Sequence, residues 1–214
     1  MSNPITQAEY ETFQRAYDFF NAELFAGALP NVLVTLQRHA KAYGYFSAER
    51  FVGRAAEEAA HELALNPDHF GRTDADILST LAHEMTHVWQ HTHGTPPRKS
   101  YHDREWAAKM VGIGLQPSST GAPGGKPTGQ RVSHYVIAGG PFAVAFAKLK
   151  ATGFELRWQS RTDDPQRKRK AGSKTKYTCP SCGRNAWAKP GSALICGKCY
   201  DEAKGEISVM EAEE

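Results

Sequence analysis

The sequence Leu81-Ala-His-Glu-Met-Thr-His87 decides the fold, because it places an H-E-x-x-H pattern inside a stretch with helical periodicity. Residues four apart lie on one face of a helix, about 6 Å apart along its axis, so His83 and His87 can reach a single ion. Imidazole nitrogens at about 2.0–2.1 Å are ordinary zinc ligands. Glu84 lies beside them and could take a proton from an attacking water. The pattern therefore predicts a metal site with a general base.

The residues around the motif favour a real helix over a chance match. Thr73 followed by Asp76 resembles a capping box, and acidic residues in a first turn suit the helix dipole. Apolar residues recur at helical spacing from position 77 to position 89, and Gly94 followed by two prolines ends the pattern. A capped amphipathic helix is the context that the metal-binding interpretation requires.

Two histidines do not complete a zinc site, so a third ligand must come from elsewhere. His91 lies about 12 Å along the helix from the first histidine, too far to share one ion. His93 occupies the third-histidine position of the metzincin pattern, but that pattern needs a glycine where this sequence has Gln90. His102 begins a second predicted helix, and Glu105 lies one turn into it. The residues alone leave these two open as the third ligand.

The motif region resembles the SprT-like zinc metalloproteases, whose members carry H-E-x-x-H followed by H-G-x-x-[F/W]. The match runs through residues 83–87 and then through His102, Glu105-Trp106 and Met110, with a looser similarity over residues 5–160. The resemblance implies that His83, His87 and His102 bind a catalytic zinc and that Glu84 is the general base. The family's glycine after the third histidine is Asp103 here, so the local backbone is expected to differ.

The predicted fold class is α+β: a zincin-like metalloprotease core followed by a small zinc ribbon. The core is expected to contain a first helix, a small antiparallel sheet, the H-E-x-x-H helix and a second helix. The helix is predicted at 5–26 and the strands at 31–37, 44–51 and 60–66. In the SprT-like family an extended substrate is thought to add to the edge strand of the sheet. Chain order suggests residues 60–66 for that strand.

The part of the core after the second helix is predicted from weaker signals. Residues 116–131 are dense in Gly, Pro, Ser and Thr, which is typical of a mobile loop. This loop is either a rim of the substrate site or a flexible connector. A strand at 134–137, a helix at 141–149 and a last strand at 154–159 are expected to follow. His134 in that strand, or Tyr101, is a candidate to stabilise the oxyanion of the reaction.

All four cysteines fall late in the chain, as Cys179-Pro-Ser-Cys182 and Cys196-Gly-Lys-Cys199. Two C-x-x-C pairs with an intervening loop are typical of a zinc ribbon, in which four thiolates close the coordination sphere. The second zinc is therefore expected to be structural. Paired disulfides are the alternative, but nothing in the sequence indicates export.

The segment between the core and the ribbon is basic. Residues 157–176 contain eight Lys and Arg side chains and two Asp side chains. Basic segments are often simply exposed to solvent and have no binding role. This one, however, leads into a ribbon with aromatic and basic residues that are expected at its surface, such as Trp187 and Lys189. Cations beside aromatic rings are typical of single-stranded or non-specific DNA binding. The sequence therefore indicates DNA as a partner besides a protein substrate.

The predicted domains are a metalloprotease domain at 1–160, a basic linker at 161–176, a zinc ribbon at 177–202 and an acidic, disordered tail at 203–214. No apolar run is long enough to cross a bilayer and the first residues lack a signal-peptide pattern, so membrane association is not expected. The expected location is the cytoplasm, with nucleoid association if DNA is bound. The oligomeric state is not specified by the sequence.

The leading hypothesis for function is a zinc-dependent endopeptidase. The family resemblance implies substrates that are proteins bound or crosslinked to DNA, as in DNA–protein crosslink repair. A second hypothesis is a DNA-associated adaptor whose zincin core serves as a scaffold, although a scaffold would not need Glu84. A third is a zinc peptidase unrelated to DNA, with a purely structural ribbon.

Overall fold

The computed structural model describes residues 4–40, 42–55, 58–98, 100–160, 174–200 and 205–212. The chain divides into two compact units, Met1–Asp163 and Asp164–Glu214. The described residues form four α-helices and several small sheets, so the α+β class is confirmed. The first unit contains, in chain order, α1 (Ile5–Phe25), β1 (Leu33–Leu36), β2 (Gly44–Val52), β3 (Ala59–Leu65), α2 (Asp74–His93), α3 (Arg104–Gly112), β4 (Leu115–Ser118), β5 (Ser133–Val136) and α4 (Pro141–Ala151).

Helices α1 and α2 contribute a large share of the buried core of the first unit. The aromatic stripe of α1 is buried through Phe13, Tyr17 and Phe20. Helix α2 begins at its N-cap Thr73, whose hydroxyl accepts a hydrogen bond from the backbone N–H of Asp76, as the sequence predicts. Nearly all of its side chains from position 77 to position 86 are buried, and each large apolar side chain contributes about 1.5–3 kcal/mol by leaving water. This burial fixes the helix that bears the histidine motif.

The sheet of the first unit has the strand order β1–β3–β2. β3 pairs parallel with β1 and antiparallel with β2, so the sheet is mixed and the expectation of an antiparallel sheet is wrong. The suggestion that residues 60–66 form the edge strand is also wrong, since β3 lies in the centre. Its residues 62–65 are all buried, which is typical of a strand covered on both faces. The strand at the sheet edge beside α2 is β2.

Strands β4 and β5 form an antiparallel hairpin that packs beside α3. Residues 116–118, expected to belong to a loop, lie in β4, because non-local pairing with β5 overrides the turn-forming composition. The connection between the strands has its own hydrogen bonds, including one from Ser119 N to Lys126 O at 2.9 Å. The strand expected at 154–159 is not formed; these residues are irregular, and Phe154 instead inserts into the core.

The second unit contains β6 (Thr175–Thr178), β7 (Asn185–Ala188) and β8 (Glu211–Ala212) in the order β7–β6–β8. Its small core consists of Tyr177, Met210 and cysteines. The pairing of β8 with β6 contradicts the expectation of a disordered tail for the described residues 205–212, because Met210 is buried against the ribbon. No helix in the described parts of either unit is long and apolar enough to span a membrane.

Candidate active site

Three histidines meet where α2 passes the start of α3. His83 and His87 come from successive turns of α2, and His102 comes from the segment just before α3. One ring nitrogen from each of the three lies within 4.8 Å of the others. The structure therefore brings together the three histidines that the family resemblance implies as ligands.

Glu105, the rival third ligand, has a different role. Its Oε2 accepts hydrogen bonds from Gln90 Nε2 at 3.0 Å and from the backbone N–H of Thr95 at 2.8 Å, which ties the α2–α3 connection together. Gly94 lets the Glu105 carboxylate approach this closely, because a Cβ at this position would lie 2.5 Å from Glu105 Oε2 and the side chain would have to shift. His93 bonds the backbone carbonyl of Ala28 instead of joining the histidine cluster.

Asp103, which replaces the family's glycine, starts α3. Its Oδ1 accepts hydrogen bonds from Trp106 N and from Gln90 Nε2, both at 2.9 Å. An N-cap carboxylate satisfies one of the free N–H groups of the first turn. Asp103 thereby fixes the backbone immediately after His102, so this departure from the family pattern does not displace the histidine from the cluster.

The indole of Trp106 forms the floor of the histidine cluster and is fully buried. Its ring lies parallel to that of His87 with centroids 5.1 Å apart, and its centroid is 4.8 Å from that of His83 and 4.4 Å from that of His102. A rigid aromatic surface below three imidazoles restricts their rotation. In the sequence, Trp106 is recognisable only as the aromatic position of the family pattern after His102, and nothing there indicates that it contacts all three imidazoles.

Glu84 is buried between α2 and β2. A Cβ on Gly44 would lie 2.7 Å from Ala64 O and 3.3 Å from Glu84 Oε1, so glycine is required for the strand to approach the carboxylate this closely. Burial raises the pKa of Glu84 to about 8, and a hydrogen bond from the backbone of Phe46 acts in the opposite direction. A cation at the neighbouring histidines would favour the ionised carboxylate.

The histidines are held in the protonation state that binds metal. Burial lowers the pKa of His83 and of His102, and it lowers the pKa of His87 to about 3. Neutral imidazole is the form that donates a lone pair to zinc. Three neutral imidazoles with nitrogens in reach of one point are a donor set that fits a catalytic zinc, which has three protein ligands and an open position.

The second ring nitrogens of two of these histidines have partners in the β4–β5 hairpin. His102 Nδ1 lies 3.1 Å from Gly129 O, and the two residues also exchange both backbone hydrogen bonds. His83 Nδ1 lies 3.1 Å from His134 Nδ1. Sequence reasoning considered His134 as an oxyanion stabiliser and missed this contact, because no local pattern relates positions 51 residues apart.

The histidine cluster opens into a cleft of about 710 Å³. One wall is formed by residues 42–48, which include the start of β2, and the others by the α2–α3 connection and by hairpin residues 130–134. Tyr101, the other suggested oxyanion stabiliser, also lines this cleft. A cleft lined by the histidines and Glu84 beside a strand edge can accommodate an extended peptide.

The four cysteines of the second unit form a separate cluster. Cys179 Sγ and Cys199 Sγ are 3.9 Å apart, and Cys182 Sγ and Cys196 Sγ are 3.6 Å apart. A tetrahedron with Zn–S distances of about 2.3 Å has edges of about 3.8 Å. All four cysteines are free thiols, and these separations exceed the roughly 2.05 Å of a disulfide. The donor set therefore fits a four-thiolate zinc ribbon site.

The predicted DNA-binding residues are described only in part. Arg161 and the basic residues at 167–170 lie outside the described residues. On the ribbon, Trp187 pairs across the β6–β7 ladder with Lys176 and is 61% exposed. An aromatic ring is thus displayed on the ribbon surface next to a cation.

Together, these features define an α+β domain with a candidate histidine metal centre, followed by a four-cysteine unit. A profile of the SprT-like family matches residues 12–123, a region that extends from α1 to beyond β4 and contains the three histidines and Glu84. The match spans more than half of the chain, so this chain belongs to the SprT-like family. Membership indicates a metallopeptidase-like function.

One curated relative is consistent with the assignment and adds no function. Over 58 residues the chain is 50% identical to an uncharacterized protein in the mucB 3' region of Salmonella typhimurium. The aligned segment covers 27% of this chain and 78% of that protein. No solved structure matches the chain.

Proposed function

We propose that this protein is a zinc-dependent endopeptidase with a zincin-like core, whose catalytic zinc is held by His83, His87 and His102. The observation that carries the proposal is the convergence of three imidazoles beside a buried carboxylate, Glu84, at the wall of an open cleft. A purely structural zinc site would be closed by a fourth protein ligand. Among the described residues, the grouping of metal-binding side chains at this place contains only the three histidines.

Zinc bound at this centre would supply Lewis acidity that polarises the scissile carbonyl. Glu84 acts as the general base that takes a proton from the attacking water and then returns it to the leaving amine. Burial raises the pKa of Glu84, and a cation held by the neighbouring histidines would lower it again, so the carboxylate could accept and release a proton near physiological pH.

The edge of β2 is the proposed binding strand for substrate. Asn66 N donates to Tyr43 O, so alternate residues of β2 pair with β3 and the residues between them turn their backbone groups away from it. Gly44, Phe46 and Ala48 belong to this outward set and line the cleft, and the N–H of Phe46 is the one that donates to Glu84. An extended peptide can add to such an edge through main-chain hydrogen bonds.

The proposed substrates are proteins bound or crosslinked to DNA. Support comes from the basic composition of residues 157–176 and from the exposed Trp187 of the ribbon, whose four cysteines would hold a structural zinc. Stacking of a base on an aromatic ring beside cations binds single-stranded DNA with little sequence preference. On this proposal the protein acts in the cytoplasm, at the nucleoid when DNA is engaged.

The variant Glu84→Gln tests the proposal. It keeps the volume of the side chain but removes the base, so cleavage of an unfolded protein should fall by at least about 10²-fold while zinc remains bound. The assay is gel electrophoresis of an unfolded protein incubated with and without single-stranded DNA, with zinc content measured in parallel. Glu11→Gln, on the exposed face of α1, is the matched control and should cleave like the wild type. Normal cleavage by Glu84→Gln would exclude the mechanism.

The same assay separates the alternatives. A DNA-associated adaptor with a scaffold core would bind DNA and zinc but show no cleavage in the wild type. The presence of Glu84 argues against this alternative, because a scaffold requires the histidines and not the base. A peptidase unrelated to DNA would cleave at the same rate with and without DNA and would not lose DNA affinity on the substitution Trp187→Ala.

A further inference from the structure

A hydrogen-bonded chain connects the first histidine of the motif to the backbone of its own helix through the β4–β5 hairpin. His83 Nδ1 lies 3.1 Å from His134 Nδ1, and His134 Nε2 lies 2.9 Å from Ser79 Oγ. Ser79 Oγ in turn lies 3.0 Å from Asp76 O. These hydrogen bonds thus run from His83 on α2 to His134 on β5, and from there back to Ser79, which lies one turn before His83 on α2.

The group that ends this series of hydrogen bonds, the carbonyl of Asp76, determines which atom donates in each of them. The carbonyl of Asp76 can only accept, so the hydroxyl of Ser79 donates to it and accepts from His134 Nε2–H. A neutral imidazole with its proton on Nε2 has a lone pair on Nδ1. His134 Nδ1 therefore accepts from His83 Nδ1–H, which leaves the lone pair of His83 on Nε2.

This direction excludes the oxyanion role considered from the sequence. Both nitrogens of His134 are engaged, one as donor to Ser79 and one as acceptor from His83. His134 then has no N–H to offer to a developing oxyanion in the cleft. Its effect on the reaction must pass through His83.

We propose that His134 is a positioning residue that fixes the tautomer and ring orientation of His83, with Nε2 directed to the metal. The same hairpin fixes His102 through Gly129 O, so the segment 129–134 orients two of the three histidines. Partners of this kind orient metal-binding histidines and commonly change metal affinity by about 10–100-fold. The inference rests on the proposed metal site but not on proteolysis.

The hairpin partners lie outside the part of the chain that the family profile matches. That match ends at residue 123, whereas Gly129 and His134 follow it. The histidines and their orienting groups are thus in different parts of the sequence, and the pairing of β4 with β5 brings them together.

The test compares His134→Asn with His134→Leu in the full-length protein. Asparagine places a carbonyl oxygen at the position of Nδ1 and can still accept from His83, whereas leucine fills similar space without an acceptor. Zinc affinity is measured by competition with a chelator. Cobalt substitution distinguishes the histidine centre from the ribbon, because thiolate-to-cobalt absorption arises only from the four cysteines. Tyr135→Leu, at the adjacent position of β5, is the control for the strand.

We expect His134→Leu to bind metal at the histidine centre about 10–100-fold more weakly, with His134→Asn close to wild type and the ribbon signal unchanged. Wild-type affinity in His134→Leu would overturn the proposal, as would equal weakening in the asparagine variant. If the leucine variant does not fold, Ser79→Ala supplies the second measurement, and unchanged affinity there would also overturn it. Absence of metal from the histidine centre in the wild-type protein would instead refute the proposed function.

Discussion

At the scale of single residues, the chemistry of the site depends on how closely β2 approaches Glu84. A Cβ on Gly44 would clash with the carbonyl of Ala64 and press against the Glu84 side chain, so this position leaves no room for a side chain. Phe46 provides a backbone hydrogen bond to the same carboxylate. Glu84, the proposed general base, is thus held from the strand on which the substrate is proposed to bind.

Gly44→Ala should therefore impair catalysis more than zinc binding. The added Cβ forces the strand or the carboxylate to move, and a displacement of about 1 Å in an active site can reduce the rate by roughly 10²-fold. The measurement is the cleavage rate at matched zinc occupancy.

Gly112→Ala is the control, because a Cβ at the end of α3 has no neighbour within 4 Å. An unchanged rate in Gly44→Ala would show that the close approach to Glu84 is not required.

At the scale of elements, the helices were predictable from the sequence and the arrangement of the strands was not. Helix α2 has its cap, its apolar periodicity and its metal-binding spacing within 22 consecutive residues, so local rules suffice. The position of β3 between β1 and β2 depends on which strands pair, which chain order does not fix.

The pairing of β4 with β5, which positions His134 in the site, was likewise not predictable from the sequence. The composition of residues 116–131 indicates a loop, yet pairing with β5 makes residues 116–118 a strand and brings His134 to His83. Cross-strand pairing and contacts between distant positions are non-local, and a single sequence does not reveal them. The histidines themselves were predictable because their types and spacing follow from coordination chemistry.

The assignment of β2 as the binding strand predicts a dependence on alternate backbone amides of the substrate. In an antiparallel pair only every second residue directs its N–H to the neighbouring strand. Two peptides are made from a sequence that the protein cleaves, each with one N-methylated backbone amide on the same side of the scissile bond. The methylated positions in the two peptides are adjacent, so only one of them blocks an amide that faces β2, and the two should be cleaved at different rates.

One version should lose cleavage and the other should retain it, as measured by mass spectrometry of the products. Equal cleavage of both peptides would contradict strand addition at β2. The unmethylated peptide is the control in each reaction.

At the scale of the whole molecule, two separate groups of side chains that could hold a metal ion lie in two compact units. One set is nitrogen only and opens into a cleft, whereas the other is four thiols and would be closed around its metal. On the proposed function, this difference would correspond to a catalytic zinc at the histidines and a structural zinc at the cysteines.

The full-length protein should contain two zinc ions, and His102→Ala and Cys179→Ser should each lose a different one. Elemental analysis gives the total, and cobalt spectra identify the site that remains. Loss of the ribbon zinc should unfold the second unit, because so small a core depends on its metal. Loss of both ions in either variant would show that the two sites are not independent.

The central claim is that His83, His87 and His102 bind a zinc ion with one coordination position free of protein. Crystals of the zinc-loaded protein, measured on both sides of the zinc absorption edge, test it most directly. We predict an anomalous peak within about 2.0–2.1 Å of a nitrogen of each histidine and no fourth protein donor. A zinc-saturated crystal without that peak, or a peak surrounded by four protein ligands, would contradict the account.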